Sequence, residues 1–153
     1  VMTRGNAREL AVHLIYAREF TGEDPQQVIA TRLDKTYFTQ LAEENEIYAK
    51  RPNSWERAYL DTVVAGVCNR CDDLNAYIQT YSIGWDVTRI SKLARTIMQL
   101  AIFEILYVDD VPTGVAISEA VRIAKLYDGD DTGAFVNGIL GSFARSLNNE
   151  VEQ

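Results

Sequence analysis

Residues 115–127 have the sequence VAISEAVRIAKLY, and their apolar side chains recur with the 3.6-residue period of an α-helix. The polar side chains share the opposite stripe: Glu119, Arg122 and Lys125. Turn signals flank the segment, with DDVP at residues 109–112 and DGDDT at residues 128–132. We therefore predict an amphipathic helix that starts near Thr113 and packs its apolar face on a core.

The same period extends in both directions along the chain. It predicts a first helix over residues 3–20 and a short second one that begins where Asp24 precedes Pro25. Residues 85–87 should open a later helix, and Asp131 or Thr132 should cap the last one. No alternating strand pattern is present, so we predict an all-α bundle of six or seven helices.

The longest predicted helix lies between Asn53 and Gly84. Asn53 and Glu56 have the spacing of a capping box at its start. Apolar and aromatic side chains then fall along one face: Trp55, Tyr59, Val63, Val67, Leu74, Ile78 and Tyr81. We expect this helix to be unbroken, with a length of about 40 Å. Residues 39–52, which include an acidic run, are predicted to be a solvated helix or loop.

Composition narrows the class of protein. The chain has 153 residues, of which 47% are hydrophobic and 24% charged, as is typical of one globular domain. Its net charge of −7 excludes a protein that coats nucleic acid by bulk charge alone. The first helix lacks the continuous apolar segment of a signal peptide, and no stretch is long enough to span a bilayer, so we expect a cytoplasmic protein without membrane contact.

Few residues offer catalytic or metal-binding chemistry. Cys68 and Cys71 form a C-x-x-C motif, but structural zinc needs four ligands, and the single histidine, His13, is distant in sequence. We interpret the cysteines as small residues at a helix contact in the middle of the long helix. No glycine-rich phosphate loop occurs. These patterns favour a binding module with no catalytic residues, no metal and no cofactor.

The start of the first helix carries residues suited to RNA. Thr3, Arg4 and Arg8 stand there, the two arginines one turn apart at the edge of the apolar stripe, and Tyr16 lies two turns beyond Arg8. Two cations and an aromatic ring supply phosphate contact and base stacking. A solvated helix face is the alternative interpretation of the same pattern.

Several segments, in their order and spacing, resemble the NusB family of bacterial transcription antitermination factors. They are residues 7–11 (ARELA), 85–90 (WDVTRI), 100–105 (LAIFEI), 110–112 (DVP), 115–127 and 135–140 (FVNGIL). The resemblance covers about residues 3–20 and 55–147, whereas residues 21–54 align only loosely.

The resemblance implies an all-α fold of two packed helical subdomains, about residues 3–82 and 85–148, within a single domain 1–153. It implies no catalytic activity. The implied partner is NusE, a small-subunit ribosomal protein in a second role. The pair would bind the single-stranded boxA element of ribosomal RNA operon transcripts and join an antitermination complex on RNA polymerase.

The resemblance also implies where the RNA lies. Thr3, Arg4, Arg8 and Tyr16 would form one side of the RNA site. Asp131, Thr132 and Phe135, at the start of the last helix, would form the other. Phe135 would stack on a base, although its place beside Val136 and Ile139 equally suits a core residue.

The chain also departs from the family pattern, chiefly by having fewer charged or polar side chains at positions where relatives carry them. These departures are Gly5, Asn6, Ala94, Gln99, Ser118, Gly133 and Ala134. Fewer cations release fewer counterions, so we expect RNA binding to depend strongly on the partner protein.

Two other functions remain open at the level of sequence. The same helical domain resembles the N-terminal RNA-binding part of certain RNA cytosine-5 methyltransferases, in which a catalytic domain follows; the length of the gene separates the two possibilities. The second possibility is a homodimer that hides its RNA face and acts as a reserve form. Exposed apolar residues near the first helix would support it.

Overall fold

The computed structural model describes residues 3–34, 38, 41, 51–84 and 90–152, and the regular structure in those ranges is helical. The helices are α1 (Arg4–Thr21), α2 (Pro25–Arg32), α3 (Ser54–Asn69), α4 (Cys71–Tyr81), α5 (Lys92–Tyr107), α6 (Thr113–Asp128) and α7 (Asp130–Glu152). The all-α prediction is confirmed. None of the helices in these ranges has both the length and the apolar character that a bilayer-crossing segment requires.

The chain forms two compact units, Val1–Asn69 and Arg70–Gln153. In the first unit, α1, α2 and α3 pack on one another around buried side chains such as Leu10, Leu14 and Leu60. In the second unit, α5 packs against α4, α6 and α7, and the core includes Met98 and Phe143. The units meet in sequence after Asn69, earlier than the predicted change of subdomain between residues 82 and 85.

The prediction of one unbroken helix between Asn53 and Gly84 is wrong. Helix α3 ends at Asn69 and α4 starts at Cys71, with Arg70 between them at φ −113° and ψ 19°. Neither glycine nor proline marks the break. The apolar period also continues across it, because Val67 and Leu74 are two helical turns apart and both are buried.

The caps of the first unit follow local sequence. Thr3 Oγ1 accepts from the Asn6 amide at 3.0 Å, and Asp24 Oδ1 accepts from the Gln26 amide at 2.9 Å. The predicted capping box is confirmed, since Asn53 Oδ1 accepts from the Glu56 amide at 2.9 Å while the Asn53 amide donates to the Glu56 carboxylate.

Two other predicted helix starts have different outcomes. Helix α7 begins at Asp130, so the prediction that Asp131 or Thr132 caps it is wrong; the Thr132 hydroxyl instead donates back to Asp128. Helix α5 is capped by Ser91, whose hydroxyl accepts from the Ala94 amide at 3.1 Å. The predicted opening at residues 85–87, and most of residues 39–52, lie outside the described residues.

Candidate nucleic-acid interface

The N-terminal end of α1 presents one exposed arginine. Arg4 is exposed, and its guanidinium carbon lies 5.0 Å from the centroid of the Tyr59 ring on α3. Tyr59 itself is only 9% exposed, so it forms a floor beneath the cation. The ring restrains the guanidinium through a cation–π interaction, and a guanidinium is a donor group suited to phosphate.

Arg8 is not on that exposed edge. Only 3% of the residue is accessible, and the neighbouring Glu9 is 7% accessible. A buried guanidinium needs polar or charged partners, and Arg8 does interact with other groups of the protein. Of the two arginines predicted to face RNA together, the structure therefore exposes Arg4 alone, and Arg8 has the environment of a residue that stabilises the fold.

Tyr16 belongs to an aromatic pair further along α1. It is half-buried, and its ring lies 4.9 Å from that of Phe20, with an interplanar angle of 74°. Phe20 is 60% exposed and was missed by sequence reasoning, although its spacing of four residues from Tyr16 places both on one helix face. Twelve residues separate Arg4 from Tyr16, which is about 18 Å along the axis.

The second unit brings the three other predicted residues together. Asp131, Thr132 and Phe135 line a surface pocket of about 280 Å³. Its remaining lining residues come from the start of α5, the segment before it and the end of α6: Ile90, Ser91, Ala94 and Asp128.

Hydrogen bonds fix the polar side of this pocket. Asp128 Oδ2 accepts from the Thr132 hydroxyl at 3.1 Å and from the Ser91 hydroxyl at 3.4 Å. Phe135 is half-buried, so part of its ring is accessible and part packs inside. An apolar floor edged by carboxylates suits a base with N–H donors better than a phosphate. Sequence reasoning missed Ser91 and Asp128; the only signal for Asp128 was its place in the turn at residues 128–132.

The predicted RNA residues thus fall into two groups, one in each unit. Thr3, Arg4, Arg8 and Tyr16 belong to the first, and Asp131, Thr132 and Phe135 to the second. That the two groups contact one RNA strand stays a prediction.

The C-x-x-C motif spans the break between α3 and α4, so its predicted position in the middle of a helix is wrong. Both cysteines are free thiols. The Cys71 sulfur accepts from the side-chain amides of Asn75 and Gln99, each at 3.6 Å, and Gln99 Nε2 also donates to Asn75 Oδ1 at 2.7 Å. This pairing satisfies Gln99, which is 2% exposed.

No group of three or more metal-ligating side chains occurs in the part of the chain that the structure describes. Burial, together with the positive charge of Arg32, lowers the pKa of His13 below its ordinary value of 6.5. His13 is therefore neutral at pH 7 and adds no positive charge to α1.

Sequence comparisons with known proteins all identify the NusB family. The profile of the NusB family matches residues 5–145. The transcription antitermination protein NusB of Acetivibrio thermocellus is 36% identical over 144 residues, covering 94% of this chain and 90% of the relative. That of Agathobacter rectalis is 36% identical over 146 residues, covering 94% of this chain and 100% of the relative.

Solved structures share the fold. NusB of T. maritima superposes with a TM-score of 0.75 at 28% identity, covering 95% of this chain and 93% of that one. A chain from a complex of antitermination factors NusB and NusE with double-stranded RNA gives a TM-score of 0.72 over 94% of this chain and 96% of that one. At 20% identity, the second likeness concerns the fold alone.

Proposed function

The chain belongs to the NusB family, and we propose that it is a transcription antitermination factor. With the ribosomal protein NusE, it binds the unpaired boxA element of ribosomal RNA operon transcripts and joins an antitermination complex on RNA polymerase. The role is one of binding without catalysis, in the cytoplasm where the transcript is made. The observation that carries the proposal is the family match over residues 5–145.

The geometry of the described residues supports RNA as a ligand. Arg4 offers an exposed cation on an aromatic floor, and Tyr16 with Phe20 offers ring surface on the same helix. In the second unit, the pocket that holds Phe135 combines a ring with hydrogen-bond acceptors. Phosphate contacts, stacking and base-edge acceptors are what single-stranded RNA recognition uses.

The overall charge supports dependence on a partner. A chain of net charge −7 repels a polyanion, so its own cations should hold RNA only weakly at physiological salt. The same acidic surface steers a basic protein, such as a ribosomal protein, toward it. RNA affinity should therefore rise strongly when NusE is bound.

The relatives favour this function over an accessory domain of a larger methyltransferase. This chain covers 90% and 100% of the two relatives' own lengths, and both are antitermination proteins. A homodimeric form is the second candidate, and the exposed Phe20 near the end of α1 supports it.

Fluorescence anisotropy tests the proposal. A labelled boxA-type oligonucleotide is titrated with the chain alone and with the chain plus NusE, at two salt concentrations, with a scrambled oligonucleotide of equal length as control. We expect weak binding by the chain alone and clearly tighter, sequence-dependent binding with NusE. Equal affinity with and without NusE would refute the partner dependence, and no preference for boxA in either case would refute the function.

A further inference from the structure

Trp55 is the most exposed aromatic residue among those the structure describes. It is 83% accessible, although the sequence placed it on the apolar face of the long predicted helix. Trp55 does share a face with Tyr59, but it is not buried, because it stands in the first turn of α3, one turn before the buried part of the face begins at Tyr59. An exposed indole of this size marks a candidate surface for binding a ligand.

Trp55, Tyr59 and Arg4 all belong to the first unit. Trp55 and Tyr59 are four residues apart on α3, so their side chains are neighbours on one face, with Cβ atoms about 5–6 Å apart. The Arg4 guanidinium lies 5.0 Å from the centroid of the Tyr59 ring. Tyr59 is therefore a common neighbour of Trp55, by helix spacing, and of Arg4, by the ring contact.

The start of α3 holds Trp55 in place. The reciprocal capping box of Asn53 and Glu56 fixes the backbone on both sides of it. Arg51 ties the preceding segment to the first helices by donating to the Leu33 carbonyl at 2.9 Å. A ring on a fixed backbone loses little conformational entropy when a flat ligand stacks on it.

We propose that Trp55 is a stacking platform for one unpaired base of the bound RNA, with Arg4 contacting a phosphate of the same strand. The inference rests on the proposed RNA-binding function and extends its site from α1 onto the first turn of α3. An RNA strand fits better than an apolar protein surface, because Trp55 and the exposed Arg4 share Tyr59 as a neighbour, and Arg4 is a cation on a chain whose net charge is −7.

Tryptophan fluorescence gives a direct test, since the sequence has only two tryptophans, Trp55 and Trp85. In a Trp85→Phe variant, the remaining indole reports on position 55. Titration of this variant, bound to NusE, with unlabelled boxA-type RNA should quench the fluorescence with the same Kd that anisotropy gives. Quenching that is absent while anisotropy shows binding would overturn the proposal.

Affinity measurements on variants of Trp55 give a second test of the proposal. Trp55→Leu should weaken RNA binding by about 5-fold to 150-fold, the range for loss of one stacked base, and Trp55→Phe should restore most of the affinity. Ile83→Ala is the matched control, since Ile83 is 89% exposed and lies in the other unit. It should bind RNA as the unmodified chain does, and a loss equal to that of Trp55→Leu would contradict the assignment.

The remaining outcomes separate this inference from the function beneath it. If the unmodified chain with NusE binds boxA RNA and Trp55→Leu binds it equally well, Trp55 is not a contact and the function stands. If light scattering shows that Trp55→Leu abolishes a dimer while RNA affinity is unchanged, the indole contacts a second copy and the proposal is wrong. If the unmodified chain binds no RNA, the proposed function itself fails.

Discussion

Replacing Arg4 and Arg8 separately by alanine should divide RNA binding from folding, although the two residues are one helical turn apart. Arg4 is exposed over Tyr59, whereas Arg8 is 3% accessible and interacts with other groups of the protein. Arg4→Ala removes one phosphate contact, which we estimate at about 1 kcal/mol, or roughly 5-fold in Kd, because the site is solvated. Each phosphate contact to a single strand contributes about 0.7 to the slope of log K against log salt, so that slope should fall by about that amount.

Arg8→Ala should act on stability instead. It leaves the groups that now interact with the buried guanidinium without that partner, at a cost of about 1–3 kcal/mol. For a chain of this length, such a loss lowers Tm by roughly 3–12 °C. RNA affinity, measured well below Tm, should then stay within about 2-fold of the unmodified chain.

The assay combines thermal unfolding of each variant with anisotropy titrations at four or more salt concentrations in the presence of NusE. Arg57→Ala serves as control, because Arg57 is an exposed arginine of the same unit whose ion pair with Asp61, at 3.4 Å, is a surface one. An Arg4→Ala protein with an unchanged salt slope would remove α1 from the RNA site. An Arg8→Ala protein with unchanged Tm and lost RNA binding would show that Arg8 contacts RNA despite its burial. It would refute the assignment of Arg8 to stability and Arg4 to RNA binding.

Three further predictions concern single side chains. The accessible ring face of Phe135 is expected to stack on a base, so Phe135→Leu should weaken RNA binding by about 5-fold or more and change Tm little. An unchanged Kd with a large drop in Tm would instead make Phe135 a core residue. Asn53→Ala should cost about 1 kcal/mol in a urea titration, because it removes the acceptor for the Glu56 amide, and Asn53→Ser should recover most of it. The pKa of His13 is lowered in the folded protein, so its neutral form contributes stability that is fully present above the unfolded pKa of about 6.5 and is lost as pH falls below it. His13→Gln should therefore make the free energy of unfolding depend less on pH in that range. An equally steep dependence in the variant would contradict this assignment.

The sequence correctly predicted two helix caps, which depend on residues close together in the chain. The caps at Asp24 and Asn53 were found because each acceptor lies within three residues of the amide it serves. The break at Arg70 could not be found in that way, since helix periodicity continues across it and no helix-breaking residue is present. A break of this kind depends on how the helices on each side pack, which the period alone does not encode.

The two misplaced side chains of the first unit have a shared cause. Arg8 lies at the side of an apolar stripe, and Trp55 lies at the N-terminal end of one. The helical period locates the centre of a buried face better than its borders. Whether a marginal residue is covered depends on the neighbouring helix. Arg8 is covered and Trp55 is not, which reverses the exposure that residue type alone would suggest.

The count of accessible cations on α1 has a consequence for affinity. The helix has three arginines: Arg4 is exposed, Arg8 is buried, and half-buried Arg18 donates from Nε to the Glu23 carbonyl at 3.1 Å. A helix with one exposed arginine makes about one phosphate contact, which gives a shallow salt dependence and little affinity from charge. Ring surface at Tyr16, Phe20 and Trp55 must then supply most of this unit's share of the binding energy, with the partner protein supplying cations. RNA affinity of the chain alone should accordingly fall more on loss of one aromatic ring than on a doubling of salt.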